Sequence, residues 1–138
     1  MKRKLFFILF LFALYNVSIA QSAPYQVVID VTSSDTLVHK MVIRWLNEIT
    51  SSNPNAQVEV VLFAKSLDMI TKGKSVVSDD VMKYANAGNT SFKVCAMAMK
   101  NNGIEQRQLI PGVQTVPDGI YEIISRQHDG WGYIKAAR

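Results

Sequence analysis

The chemistry of this chain centres on one cysteine. Cys95 is the single cysteine among 138 residues, and it stands between "SFKVC", which favours a strand, and "AMAMKNNG", which favours a short helix. In an open parallel sheet, ligands and reactive groups collect at the carboxyl ends of the strands. Free backbone N–H groups and the dipole of the following helix stabilise a thiolate there. The same position also suits an inert cysteine that packs as a small apolar side chain, so both interpretations stay open.

A lysine is the second candidate for the site. Lys65 lies in the turn "FAK" after "QVEVVL", at the carboxyl end of a strand that we expect to neighbour the strand of Cys95. A nearby ammonium group favours a thiolate and attracts anionic sulfur compounds. The alternative is a solvated lysine on a loop. We therefore predict Cys95 as a reactive thiol and Lys65 as a residue that tunes its ionisation.

Soft sulfur ligands also follow the cysteine. Cys95, Met97 and Met99 alternate along the chain, and a thiolate with two thioethers suits Cu(I). If a helix begins at Ala96, the two methionines do not share a face with the cysteine and pack in the hydrophobic core instead. The helix fits the sequence better, so we predict no resident metal. No glycine-rich phosphate loop surrounds Ser33, and we predict no cofactor.

Three other polar side chains are candidates for structural or pocket roles. Asp30 ends the first predicted strand at the same edge as Cys95, where it either lines a ligand pocket or caps a turn or helix. His39 is expected off the apolar stripe of the next helix, and His128 falls in the last turn of the final helix. A histidine near the C-terminus of a helix, as His128 is predicted to be, interacts favourably with the helix dipole without any catalytic role. We expect both histidines to be structural or solvated.

The first twenty residues have the pattern of a secretory signal peptide. A basic start, Lys2 to Lys4, precedes an apolar run from Leu5 to Tyr15 and a small-x-small site, Ser18 to Ala20. The apolar run is shorter than the roughly 18–20 residues that cross a bilayer. We predict cleavage after Ala20 and a secreted or periplasmic protein that has no membrane association once the signal is removed.

Removal of the signal nearly neutralises the chain. The formal charge of +4 includes three basic residues and no acidic residue of that segment, which leaves +1 for the remainder. Lys and Arg are then scattered without a basic run, which argues against a nucleic-acid partner. The remaining chain is long enough for one domain with a single core.

Hydrophobic patterning predicts an α/β fold. The segments "YQVVIDV" (Tyr25–Val31) and "QVEVVLF" (Gln57–Phe63) are apolar on both faces, as strands covered by helices on both sides are. Ser34 or Asp35 caps an amphipathic helix between them, which ends at Asn53-Pro54. Its apolar face consists of Val38, Met41, Val42, Trp45, Leu46 and Ile49. Strand, helix and strand form a βαβ unit with a right-handed crossover.

The second half repeats this order in shorter pieces. Helices are predicted at "SDDVMKYANAG" with Ser78 as its cap, at "AMAMKNNG", and at "PDGIYEIISRQHDG" with Pro117 as its first residue. The segments "SFKVC", "VQTV" and "WGYIK" supply strands. We predict one three-layer Rossmann-like domain, residues 21–138, with a mostly parallel sheet of about five strands flanked by helices.

Longer segments around Cys95 carry a family resemblance. They are "VEVVLFAKSLDMI", "FKVCAMAMKNNGI" and "LIPGVQTVPDGIYEIISRQHDGWGYIK", and the resemblance that they carry covers essentially the whole of Tyr25 to Lys135. These segments resemble the DsrE/DsrF-like (YchN-like) family of small sulfur-relay proteins. The resemblance implies a Rossmann-like fold, a homo-oligomer (trimer or hexamer) and a cysteine that carries sulfur as a persulfide. Cys95 matches that cysteine.

Two positions depart from the family pattern. Met97 stands where relatives often have asparagine, and "FAK" stands where many carry His-Gly. An asparagine amide donates hydrogen bonds to a thiolate, whereas a methionine does not. One predicted function is therefore a sulfur carrier, with Cys95 passing sulfane sulfur between partners that the sequence does not identify. The alternative is a non-catalytic oligomeric binding or scaffold domain with an inert cysteine, and a Cu(I) site is the least favoured.

Overall fold

The computed structural model describes residues 23–138, so the predicted signal peptide lies outside the described part of the chain. Five strands form one sheet: β1 (Gln26–Val31), β2 (Gln57–Leu62), β3 (Thr90–Cys95), β4 (Gln114–Val116) and β5 (Gly132–Ala136). Their order is β4-β3-β2-β1-β5, and every neighbouring pair is parallel. This confirms the predicted α/β fold class, including the count of about five mostly parallel strands.

Helices flank the sheet on both sides. They are α1 (Thr36–Ser52), α2 (Ser78–Ala85), α3 (Ala96–Asn101) and α4 (Gly119–His128), with 3-10 turns at Ser66–Ile70 and Gln106–Gln108. Within residues 23–138, no helix combines the length and apolarity that a membrane crossing requires.

The main core lies between the sheet and the pair α1 and α2. Alternate residues of β1, Val27, Ile29 and Val31, face this side and pack in one cluster with Val42 and Leu46 of α1. Burial of each such aliphatic side chain contributes about 1.5–3 kcal/mol to folding. This core fixes the strand register and hence the positions of the strand ends.

Helix starts differ from the sequence prediction at two places. For α1 the prediction named Ser34 or Asp35 as the N-cap, and the structure has Asp35 there. The two differences concern α2 and α4. The N-cap of α2 is Val77, and Ser78 is already helical. Pro117 does not begin α4, because Asp118 is the N-cap and its carboxylate accepts two backbone N–H groups of the first turn.

The prediction for the face of His39 was wrong. His39 is 2% exposed and lies with the core-facing residues of α1, because it precedes Val42 by three residues and Leu46 by seven. Its Nε2–H donates to the backbone carbonyl of Ser33 at 2.9 Å, which satisfies the buried ring nitrogen. His39 is therefore structural, whereas His128 is exposed at the end of α4.

The opposite face of the sheet is covered by α4 and carries charged side chains. Glu59 of β2 is 2% exposed, and its carboxylate accepts from Arg126 at 3.0 and 3.2 Å. Arg126 also pairs with Glu122 one helical turn earlier, at 3.1 Å. Burial raises the pKa of Glu59, and interaction with the Glu122 carboxyl adds to the rise, whereas Arg126 opposes it. This network joins the C-terminal half of α4 to the sheet.

Asp30 joins the edge strand β5 to β1. Its side chain is nearly buried, and Oδ2 accepts from the Tyr133 hydroxyl at 2.7 Å and from Lys135 Nζ at 3.0 Å. Oδ1 has no hydrogen-bond partner within residues 23–138. Asp30 thus links two strands and does not cap α1, which is the role of Asp35.

The bond from Tyr133 to Asp30 predicts a pH dependence of stability. It raises the pKa of Tyr133 from 10.0 to about 12 in the folded state. Its stabilising contribution is therefore complete below the unfolded pKa near 10 and is lost as the pH rises through about 12. We expect the urea midpoint of the wild type to fall more steeply over this pH range than that of Tyr133→Phe. The exposed Tyr25→Phe serves as the control and should follow the wild type; parallel profiles for all three proteins would contradict the assignment.

Candidate functional site

Cys95 lies where the sequence predicted it, at the end of a strand. It is the last residue of β3 and pairs in register with Val116, the last residue of β4. It is also the N-cap residue of α3, although its side chain makes no capping hydrogen bond. The thiol is free, and the residue keeps 7% of its surface exposed.

The chain leaves β3 and β4 toward opposite faces of the sheet. After β3 it enters α3, whose Ala98 and Met99 join the main core on the side of α1. After β4 it enters α4, whose Ile123 packs with Val61 on the other side. Two adjacent parallel strands whose connections part in this way form a topological switch point, which is where open α/β sheets bind ligands. Cys95 lies at the switch point of this sheet.

The first residue of α4 lies directly against the cysteine. A Cβ atom on Gly119 would lie 3.1 Å from the Cβ of Cys95 and 3.4 Å from Cγ1 of Val61. Glycine therefore allows the helix to begin this close to the sheet. The N-terminus of α4, which Asp118 caps, lies beside Cys95 as a result.

Lys65 lies at the same edge of the sheet but makes no bond to the cysteine. Its backbone N–H donates to the carbonyl of Thr32 at 3.2 Å, and within residues 23–138 its ammonium group has no hydrogen bond or ion pair. The preceding residue, Ala64, has a φ of 56°, a left-handed conformation that is strained for alanine. Asn102 holds this turn against α3 by donating to the Ala64 carbonyl at 3.3 Å. The influence of Lys65 on the thiol stays a prediction.

A different lysine shares the sheet face of Cys95. Lys93 precedes it by two residues in β3, so both side chains project toward the side of α4. Lys93 is half-buried, and its ammonium donates to the side-chain oxygen of Gln114 on β4. Our sequence analysis missed Lys93, although the alternation in "KVC" was sufficient to find it.

An open cleft of about 480 Å³ lies beside the C-terminal half of α4, over the amino-terminal parts of β2, β3 and β4, and Cys95 is not among its lining residues. Glu59, Ser91 and Lys93 contribute to its lining, together with Arg126 and Trp131. Small-molecule sites have volumes of roughly 300–1,000 Å³, so the cleft is large enough for such a ligand. The Arg126 guanidinium lies 4.9 Å from the centre of the Trp131 ring and is paired with two carboxylates.

The methionines beside the cysteine do not form a common ligand face. The helix begins at Ala96, as the sequence predicted. Met97 is 63% exposed, whereas Met99 is buried in the main core with its sulfur 3.7 Å from the Thr115 hydroxyl oxygen. In the described part of the chain, no three His, Cys, Asp or Glu side chains are grouped as metal ligands.

Solved structures with the same fold include two proteins of unknown function and one from E. coli. Protein MTH1491 from Methanobacterium thermoautotrophicum aligns with a TM-score of 0.75 and 24% identity, over 80% of this chain and 98% of that one. The ychN protein of E. coli aligns with a TM-score of 0.68 and 13% identity, over 81% and 98%. The conserved protein BT1422 from Bacteroides thetaiotaomicron aligns with a TM-score of 0.66 and 15% identity, over 84% and 98%. These similarities establish the fold, and no curated protein matches the sequence.

The family model extends over nearly all of the described chain. The model of the DsrE/DsrF-like family matches residues 26–136, from the first residue of β1 to the last residue of β5. The matched range contains the switch point and its cysteine. The protein therefore belongs to the DsrE/DsrF-like family.

Proposed function

We propose that the protein carries sulfane sulfur as a persulfide on Cys95 and passes it to a partner protein. Membership of the DsrE/DsrF-like family indicates a role related to sulfur relay. Persulfide transfer by Cys95 is supported by the position of this residue at the switch point, where it contacts the first residue of α4. The protein is a carrier in this proposal and has no independent turnover.

The transfer steps need no external oxidant. The Cys95 thiolate attacks a sulfur atom of the donor; a new S–S bond forms on Cys95 as an S–S bond of the donor breaks. The bonding electron pair leaves with the donor, which is shortened by one sulfur atom. In delivery, a thiolate of the acceptor attacks the outer sulfur and the Cys95 thiolate leaves. The positive end of the α4 dipole stabilises the anionic persulfide between the two steps.

The cysteine itself provides the direct test of this proposal. We expect inorganic polysulfide to add sulfur atoms to the native wild-type protein, reversibly by reductant, and to add none to Cys95→Ser. Intact-mass spectrometry measures the addition, with circular dichroism to verify that the variant is folded. If sulfur adds only after unfolding, Cys95 is a buried structural thiol and the carrier function is refuted.

The contact between α4 and Cys95 supports a second test. Gly119→Ala places a methyl group 3.1 Å from Cys95 Cβ and displaces the first turn of α4. We expect stability to fall by about 1 kcal/mol. The persulfide yield should also fall about fivefold, because the helix terminus contributes on the order of 1 kcal/mol to an adjacent anion. The exposed Gln127→Ala on the same helix is the control, and an unchanged persulfide yield in Gly119→Ala would contradict this role of α4.

We also propose that the mature protein, cleaved after Ala20, acts in the periplasm or outside the cell as a trimer or hexamer. The outer surface of α4 supports association, because Ile120, Tyr121 and Ile124 are 57%, 68% and 54% exposed on one helix face. Light scattering of the mature chain should give the mass of a trimer or hexamer. A monomer at micromolar concentration would contradict the oligomer.

A non-catalytic scaffold is the second candidate function. The low exposure of Cys95 and the exposed Met97 in place of the family asparagine favour it. A chain that adds no sulfur in its native state but forms a stable oligomer would fit this function.

A further inference from the structure

We propose that the cleft beside the C-terminal half of α4 is a second ligand site, which binds a small hydroxylated monocarboxylate. The cleft lies over the amino-terminal parts of the strands, and Cys95 does not line it. The proposal therefore does not rest on the persulfide function, and it assigns to the cleft a ligand without reactive sulfur.

The floor of the cleft is fixed by polar contacts within the protein. The buried carboxylate of Glu59 accepts from Arg126 with both oxygens, at 3.0 and 3.2 Å, and from the Ser91 hydroxyl at 3.4 Å. Glu122 lies 3.1 Å from the same guanidinium group. Because Arg126 is paired with two carboxylates, its positive charge is neutralised and is not available to a ligand.

Lys93 supplies the charge that is unbalanced in the cleft. Among the lining residues only Glu59, Lys93 and Arg126 carry charge. Within residues 23–138, Lys93 has no carboxylate in ion-pair range, and its ammonium group donates to the neutral side-chain oxygen of Gln114. Since Lys93 is half-buried, an anion beside it is stabilised more strongly than at an open surface. One unbalanced positive charge fits a ligand with one negative charge.

The donors around this charge favour a carboxylate. Lys93 and Gln114 are directly paired in the register of β3 and β4. Gln114 accepts from Lys93 with its side-chain oxygen, so its amide N–H groups remain as donors beside the ammonium group. Two adjacent donors, one of them charged, match the two oxygens of a single carboxylate.

The loop after α2 adds hydrogen-bond acceptors to the cleft. The amide N–H groups of Asn86 and Asn89 donate to backbone carbonyls, of Met82 at 2.7 Å and of Ala56 at 3.2 Å. Within residues 23–138 their side-chain oxygens accept no hydrogen bond, so they can accept from hydroxyl groups of a ligand. A volume of about 480 Å³ accommodates a hydroxy acid of about six carbon atoms.

Three probes of similar length separate the two chemical requirements. Gluconate carries a carboxylate and hydroxyl groups, hexanoate only the carboxylate, and sorbitol only hydroxyl groups. In NMR titrations of the mature chain, we expect gluconate to bind about tenfold more tightly than either of the others and to shift the backbone amides of Ser91 and Gln114. Equal affinities for gluconate and hexanoate would overturn the ligand class. No gluconate binding, or shifts confined to the sheet edge at Cys95, would overturn the site.

Substitution of Lys93 tests the charge. Lys93→Met should weaken gluconate binding about tenfold, the effect of losing one charge-assisted hydrogen bond, whereas Lys93→Arg keeps the charge and should keep most of the affinity. Lys65→Met removes a lysine from the opposite end of the sheet and is the matched control, and circular dichroism verifies that each variant is folded. An unchanged affinity in Lys93→Met would overturn the site.

Cys95→Ser separates this site from the persulfide function. Because Cys95 does not line the cleft, this variant should bind gluconate as tightly as the wild type. A folded Cys95→Ser protein that no longer binds gluconate would overturn a site independent of the thiol. If gluconate does not bind, sulfur addition to Cys95 is unaffected; if sulfur does not add, gluconate binding is unaffected, so the two proposals fail separately.

Discussion

The structure around the thiol depends on the close approach of α4 to the sheet at Cys95. This approach requires the chain to cross from β4 to the face opposite α1, and it requires a residue without a side chain at Gly119. The same crossing separates α3 from α4 at the ends of β3 and β4, which makes this the topological switch point of the sheet. One packing constraint thus accounts for the position of the cysteine, for the helix terminus beside it and for the glycine that begins the helix.

The two faces of the sheet differ in how they are stabilised. On the side of α1 and α2, apolar packing dominates, and the buried His39 is satisfied by one carbonyl. On the side of α4, a ten-residue helix packs on a small apolar cluster and is joined to the sheet by the pair Glu59 and Arg126. Buried carboxylates need partners of this kind, since an unpaired buried charge costs several kcal/mol. The short helix leaves the sheet beside it open, and the cleft with Lys93 lies there.

Sequence reasoning was most successful where the evidence is local. The strands, the helices and the strand-end position of Cys95 follow from hydrophobic periodicity and from the change of period at Ala96. The pairing of Glu59 with Arg126 joins residues 67 positions apart and depends on how α4 crosses the sheet, which no local pattern encodes. Lys65 was predicted because it lies in the turn after a neighbouring strand, whereas the alternation of side chains within β3 identifies Lys93 as the lysine on the face of the cysteine.

The shortness of β4 has a consequence for the motions of the protein. With three residues at the edge of the sheet, β4 pairs only with β3, through three register positions. Segments with so few pairings open locally at a much smaller free-energy cost than the global unfolding of a domain. Detachment of β4 would uncover Val116 and the adjoining Cys95 together. Amide hydrogen exchange at this edge would then report how often the nearly buried sulfur becomes exposed to solvent.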